Sequence, residues 1–463
     1  AIGAGETESE DVDGNVIYPP TNDLAGNVRP NPAGSNPDLG AYEHELAVTP
    51  YPSTVSNLIA TPLHRSVQLD WLYAEDEDVE MYIAYMGEDS ITFTPVDTVL
   101  GRFNTRTTID SLDNGTDYWF YVTAVDTADY ESSPTLHVKT SPFFQGPVWI
   151  VSADDGTSNG EGSPEEPMKY IKDAIEEAAD GDTIMLMPGT YDHSKNRNLN
   201  FQDSYDGTGV RNLTLMGKYG ADTTFIDLDG HDFIDFIGNE DNSSKISGLT
   251  IQNSASGAVD IWNASPEIEN CIFLNNQNNQ NGGAINIQGT NGDVVSISNT
   301  LFDGNSIQDG SFQRGGAIHI GNDDSKAYVE NCIFYNNSAD EMGGGINQDN
   351  NSNLVIVQSL FLNNTTNANW GAGGVNSFAA EYGGNTTIIN SIFAGNANAL
   401  GSTESDVYSS NGYPIDVDHC ILQSTNSATF NYGENFAFEP LINDTTNGDF
   451  SLNEFSDAIG LGT

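Results

Sequence analysis

The sequence predicts an all-β chain, with a parallel β-helix from about Val148 onward and a β-sandwich before it. Three observations predict this. A short motif recurs as Asn270-Cys-Ile-Phe273, Asn299-Thr-Leu-Phe302, Asn331-Cys-Ile-Phe334, Gln358-Ser-Leu-Phe361, Asn390-Ser-Ile-Phe393 and His419-Cys-Ile-Leu422, with Phe spacings of 29, 32, 27 and 32 residues. A second motif interleaves with it: Gly282-Gly-Ala-Ile285-Asn286, Gly315-Gly-Ala-Ile318-His319, Gly344-Gly-Ile346-Asn347 and Gly373-Gly-Val375-Asn376. Between residues 47 and 141, by contrast, the apolar pattern is strict alternation in separate runs.

The repeat spacing is irregular around fixed motifs. That suits a coiled solenoid, in which each coil holds about three short strands and the corner loops absorb insertions. Each Phe (Phe273, Phe302, Phe334, Phe361, Phe393) is expected to stack on its counterpart about 4.8 Å along the axis. Five units carry Asn three residues after the Phe: Asn276, Asn305, Asn337, Asn364 and Asn396. These predict an amide ladder that satisfies buried corner backbone. The Gly-Gly pairs predict sharp bends with positive φ. Cys271, Cys332 and Cys420 share one repeat position with Thr300, Ser359 and Ser391, so they read as small stacked core residues. Spacings of 61 and 88 residues support neither a disulfide nor a metal site.

In the N-terminal third, the runs Ser66–Trp71, Met81–Tyr85 and Tyr118–Val125 alternate with period two and predict half-buried strands. Leu112, Asn114-Gly-Thr116 and Tyr118 form a tyrosine-corner pattern, and Trp71 is placed as a buried early-strand Trp. The set resembles a fibronectin type III domain over residues 47–141. Residues 142–191 read as a linker and opening cap. Val148–Ser152 is a strand, Ser163-Pro-Glu-Glu166 carries the signals of a helix start, and Ile171, Ile175 and Ala178 fall on one helical face. Gly181-Asp-Thr-Ile-Met-Leu-Met-Pro-Gly-Thr-Tyr191 then begins a strand. This order resembles the start of pectate-lyase-like domains of secreted bacterial surface proteins. That resemblance implies a right-handed parallel β-helix with an N-terminal capping helix, here over residues 192–463.

Composition bounds the partners. Of 463 residues, 14 are Lys or Arg and 67 are Asp or Glu, a formal charge of −53. Nucleic acid and anionic membranes need clustered basic residues that this chain lacks. No stretch approaches 18 apolar residues, so no membrane insertion by a helix is expected. The location expected from domain type is extracellular or cell-surface. Calcium would suit loops such as Gly321-Asn-Asp-Asp-Ser325 and Asn443-Asp-Thr-Thr-Asn447, although no EF-hand or nonapeptide calcium spacing is present.

No catalytic residues are assigned. Asp227, Asp229, Asp232 and Asp235 are the densest acidic cluster, but they alternate with apolar residues as half-buried strands do. Arg314 and Lys326 read as solvated corners, and His319 as a substitute for the ladder Asn of neighbouring coils. Trp262, Trp370 and Tyr382 could form a sugar platform as readily as corner packing.

The ends of the sequence resemble each other. Ala1-Ile-Gly-Ala-Gly-Glu6 matches Ala458-Ile-Gly-Leu-Gly-Thr463 at four of six positions. Closing segments of secreted β-helix proteins resemble Leu…Ser-Pro-Ala-Ile…Gly, then Asp…Gly…Arg-Pro, then Asp-Leu-Gly-Ala-Tyr-Glu. Phe450–Ile459 is similar to the first part, with Asp457 in place of Pro, while Asp23–Pro30 and Asp38–Glu43 are similar to the rest. Residues 1–46 are therefore expected to be an extended segment that completes a neighbouring unit's β-helix, whose own closing segment is missing. The expected interface residues are Ala1, Ile2, Leu39, Tyr42, Leu452, Phe455 and Ile459. The expected role is a structural or adhesive repeat of a head-to-tail filament, either a covalent tandem array or self-assembled subunits. The alternative is a polysaccharide-binding or polysaccharide-degrading lyase or hydrolase, which would need a basic residue or paired carboxylates.

Overall fold

The computed structural model describes residues 8–11, 14–29, 51–202, 210–307, 313–321, 324–369, 371–399, 406–409, 413–423, 430–432 and 434–462. The chain divides into two compact units, residues 1–145 and 146–463.

In the first unit a three-stranded antiparallel sheet is formed by Ser56–Leu63, Ser66–Leu72 and Arg106–Asp110. A four-stranded sheet is ordered Thr94–Leu100, Val79–Gly87, Tyr118–Asp126 and Val138–Thr140. Alternate residues Val67, Leu69 and Trp71 of one sheet and Tyr82, Ala84, Phe120 and Val122 of the other are buried in one core, as period-two alternation demands. Trp71 packs edge-on to Tyr82 with ring centroids 5.4 Å apart. The Tyr82 hydroxyl accepts from the Ala74 amide at 2.9 Å and donates to the Arg102 carbonyl at 2.6 Å, so the buried phenol is satisfied. The amide of Asp113 donates to the Tyr118 hydroxyl at 3.2 Å, closing the corner.

The described residues before the sandwich form two short antiparallel turns. Ser9–Glu10 pairs antiparallel with Val16–Ile17, and Asn22 bridges Val28. Both turns use the same chemistry. Asp11 accepts from the backbone and side-chain nitrogens of Asn15, and Asp23 does the same for Asn27. Gly14 and Gly26 supply the positive φ, 82° and 91°. The signal lies in the sequence as a repeated Asp-x-x-Gly-Asn-Val, twelve residues apart.

The second unit is a parallel β-helix. Among the described residues its first sheet has eleven strands, from Val148–Val151 through Ile415–Asp418 to Phe430–Tyr432; the second and third sheets have eight each; a fourth, of two-residue strands, has four. Every pairing within these sheets is parallel, one coil to the next. The capping helix spans Ile171–Glu177 and buries Ile171, Ala174 and Ile175 against the first two strands of the first sheet. It starts later than the Ser163-Pro-Glu-Glu166 signal indicated. Ser163 closes a local turn by accepting from the Glu166 amide at 3.1 Å, and Met168 pairs with Ile150 backbone as an extended residue. At the helix C-terminus the Arg211 guanidinium donates to the Ile175 and Ala178 carbonyls, which a short helix would leave unsatisfied.

Three inner columns hold the coils in register. The rings of Phe273, Phe302, Phe334, Phe361 and Phe393 stack with centroids 4.5–5.1 Å apart, and all are fully buried. Beside them runs the amide column Asn276, Asn305, Asn337, Asn364, Asn396. Each Oδ1 from Asn305 onward accepts from the backbone and side-chain nitrogens of the Asn one coil earlier. Each Nδ2 also donates to a backbone carbonyl at 2.8–3.0 Å.

The third column is Cys271, Thr300, Cys332, Ser359, Ser391 and Cys420. Its members are hydrogen-bonding residues as well as small ones. The amides of Cys271, Cys332, Ser359 and Ser391 donate to the γ atom one coil on, at 3.2–3.4 Å. Each γ atom in turn faces a carbonyl two residues back. Ser, Thr and Cys share that donor–acceptor geometry, which explains why they interchange here. The residue before each of them (Asn270, Asn299, Asn331, Gln358, Asn390, His419) turns the corner at φ 49–54°. Asn tolerates that left-handed conformation best among residues with a side chain.

Candidate functional sites on the outer faces of the β-helix

One row on the outer face of the second sheet is apolar. Opposite the inward Phe column lie Ile272, Leu301, Ile333, Leu360 and Ile392, in register and half-buried. After the last coil the chain turns back over this row. Ile442 bridges Leu452 in a hairpin, and the Phe450 ring meets Tyr335 edge-on at 5.2 Å. Ile442, Phe450 and Leu452, with Gly460 and Gly462, line one cavity with Ile333, Leu360 and Ile392. The groove continues beyond the tail, open, between Gly220–Asp222 on one side and the half-buried Ile272 and Leu301 on the other.

The expected interface residues divide. Leu452 lines the cavity over the groove, and Ala458 of the same tail is buried. Phe455 and Ile459 are 75% and 55% exposed. Ala1, Ile2, Leu39 and Tyr42 lie outside the described residues.

The third sheet carries a polar row on its outer face: Asp235, Asp260, Asn286, His319, Asn347 and Asn376, one per coil and in register. Asn286 donates to Asp260 at 2.9 Å, Asn347 faces His319 Nδ1 at 3.3 Å, and Asn376 donates to Asn347 at 2.9 Å. His319 is 2% exposed, and burial pushes its pKa down to about 4, so it stands in the row as a neutral imidazole. Arg314 is not the solvated corner its place before Gly-Gly suggested. It pairs with Glu341 at 2.8 Å and Asp349 at 2.9 Å and lies over the Phe378 ring. Burial opposes its charge, and the two carboxylates more than offset that. The loop lengths that bring Glu341, Asp349 and Phe378 to Arg314 carry no periodic signal. Lys326 donates to the Gly292 carbonyl from an exposed position.

The four acidic residues take different partners on folding. Asp227 accepts from Gln252 and Asn253, Asp229 faces Arg197 at 3.3 Å, and Asp232 bonds Ser256. Asp235 makes its electrostatic neighbourhood with Asp260, its in-register partner one coil on. Burial, then the charges of Asp260 and Asp232, push Asp235 up to about 6. Burial also raises Asp260, against the hydrogen bond from Asn286.

A carboxyl whose folded pKa is raised contributes stability below its unfolded pKa and loses it as pH rises through about 6. Asp235→Asn is therefore expected to stabilise the fold at pH 8 by about 1–2 kcal/mol, a figure discounted for partial solvation, and to do little at pH 4. Urea midpoints at the two pH values check this; an equal effect at both would sink it.

Among the described residues no three His, Cys, Asp or Glu side chains converge to hold a metal ion. Asp323 of the Gly321–Ser325 loop lies outside them. Trp262 and Tyr382 are exposed on coils four apart, about 19 Å along the axis. Trp370 is outside the described residues.

No protein-family model matches the chain, and no curated protein matches it. Among solved structures, the chain is similar to an Fn3-like protein from Clostridium thermocellum, at 19% identity over 21% of this chain and 93% of that one, with a TM-score of 0.17. It is similar to the Clostridium perfringens spore cortex lytic enzyme SleM at 20% identity, over 19% of this chain and 28% of that one, TM-score 0.17. It is similar to a beta-1,2-glucanase from Parabacteroides distasonis at 29% identity, over 21% of this chain and 14% of that one, TM-score 0.18. The chain thus spans well under a third of those last two proteins.

Proposed function

We propose that this protein is a structural and adhesive unit of a long extracellular fibre or surface assembly. In it the N-terminal segment of one unit completes the β-helix of its neighbour. One observation carries the reading. Glycines of the Ala458-Ile-Gly-Leu-Gly462 stretch line a groove on the outer face of the second sheet, and nearly the same sequence recurs at Ala1-Ile-Gly-Ala-Gly5. A segment suited to that surface is thus present twice, and a contact between such non-identical patches is heterologous and open-ended. The formal charge of −53 makes divalent cations a natural aid to bringing units together. Sedimentation of the purified chain with and without calcium, beside a fusion of two copies, tests it. The expected result is concentration-dependent oligomers, or a first copy in the fusion that unfolds at higher urea than the single chain. A monomer at every concentration, together with a fusion that unfolds as two unaltered copies, would overturn it.

A second reading, a module that binds or cleaves polysaccharide, is favoured by the Asp235–Asp260 pair. Two carboxyls on adjacent coils, one with its pKa near 6, are the groups that glycoside hydrolysis employs. A polysaccharide panel assayed with the unaltered chain and with Asp260→Asn separates the two readings.

A further inference from the structure

We infer that the open half of the second-sheet groove, around Ile272 and Leu301, is the docking site for the N-terminal ribbon of a second copy of this chain. The inference rests on the assembly proposed above and names the surface it uses. The groove is one continuous apolar row, and its C-terminal half is covered by a hairpin of the same chain, with Ile442, Phe450 and Leu452 across from Ile333, Leu360 and Ile392. The N-terminal half presents the same residue types and a wall of corner Asn residues, Asn270, Asn299 and Asn331, with Asp222 the one carboxylate on its lining.

The ribbon supplies the matching half. Val16, Ile17, Tyr18, Leu24 and Val28 are 48–73% exposed within thirteen residues. That density of outward apolar side chains, on a ribbon whose turns are fixed by Asp11 and Asp23, is the mark of a surface that another surface covers. Reach is adequate. Gly462 is beside Asn390 (a Cβ placed on it would lie 3.6 Å from that side chain), three coils from the Asn299–Leu301 corner, or about 14 Å along the axis. In a direct fusion of two copies, the roughly nine residues from there to Ser9 of the second copy span up to about 30 Å.

The test is a fusion of two full copies carrying Leu301→Cys in the first copy, in the second copy, or, as a single chain, alone. Cys271, Cys332 and Cys420 are at most 1% exposed and give little background to maleimide labelling. The expected result is labelling at least tenfold slower at position 301 of the first copy than of the second. Ile17→Asp with Tyr18→Asp in the second copy should restore the fast rate. Ile272→Cys repeats the measurement at a second position, in case the first variant folds poorly. Equal rates in both copies, alongside a raised urea midpoint of the first copy, would overturn this docking site and leave the assembly standing. Equal rates without that rise would overturn both. Slow labelling already in the dilute single chain would also overturn the site, because the groove would then be filled from within the same copy.

Discussion

Asn337→Ala is expected to destabilise the β-helix by about 3–6 kcal/mol. Asn337 is fully buried, and its side chain makes four hydrogen bonds. Its Oδ1 accepts from the Asn305 amide and from Asn305 Nδ2, and its Nδ2 donates to the Phe302 carbonyl and to Asn364 Oδ1. Alanine would leave the Asn305 amide and one hydrogen of Asn305 Nδ2 buried without partners, and would strip one donor each from Asn364 Oδ1 and from the Phe302 carbonyl, which keeps its place in the ladder with Ile333–Tyr335. Each such group costs about 1–3 kcal/mol. No solvent replaces the lost bonds, because Asn305 and Asn364 are also fully buried. Urea unfolding followed by circular dichroism measures the change. A loss below about 1 kcal/mol would mean the amide column contributes no more than a surface contact.

Phe361→Ala is expected to cost about 3–5 kcal/mol. Its ring lies between Phe334 and Phe393, with centroids 4.5 and 4.6 Å away and planes within 5° of parallel. The cavity is hard to close, because the hydrogen-bonded coils above and below fix the spacing of the column. Gly345 already sits so close that a side chain there would meet the Phe361 ring at 3.0 Å, so the backbone has little slack to move inward. In a stack each coil touches only its neighbours, so hydrogen exchange should accelerate most in the strands Ile333–Tyr335, Leu360–Leu362 and Ile392–Ala394. Uniform acceleration from Val148 to the last coil would instead show one cooperative unit.

The contrast between the columns and the outer faces shows what periodicity can reveal. Phe273 to Phe393 and Asn276 to Asn396 recur beside a fixed motif, so their stacking follows from the repeat itself. The corner residues Asn270, Asn299 and Asn331 recur just as plainly, but only backbone geometry shows that they hold positive φ, and only the corner shows why Cys, Thr and Ser alternate after them. Arg314 could not be placed. Its partners Glu341 and Asp349 come from the next coil's turn and strand end, and Phe378 from the coil after that, through loops of unequal length. The helix start was misplaced because Ser163 caps a turn with the same hydrogen bond it would use to cap a helix. The fold-back of residues 436–462 onto Ile333, Leu360 and Ile392 had two signals, the likeness of Phe450–Ile459 to a closing segment and an outward row of Ile and Leu, and neither says which surface the segment covers. On a two-faced strand that row was open to either reading.

The amide column has a direction. Each carbonyl oxygen accepts from the coil before and each NH2 gives one hydrogen to the Asn of the coil after, until Asn396 reaches Asp406, whose carboxylate takes the last of these hydrogens at 3.0 Å. The two terminal members therefore differ from the rest, while those between them are interchangeable. A coil could be duplicated or excised in the middle without altering either terminus, so the length of this rod is a quantity that gene rearrangement can tune independently of its fold. The irregular Phe spacings add a second freedom, since decoration at the corners can change without disturbing the ruler inside.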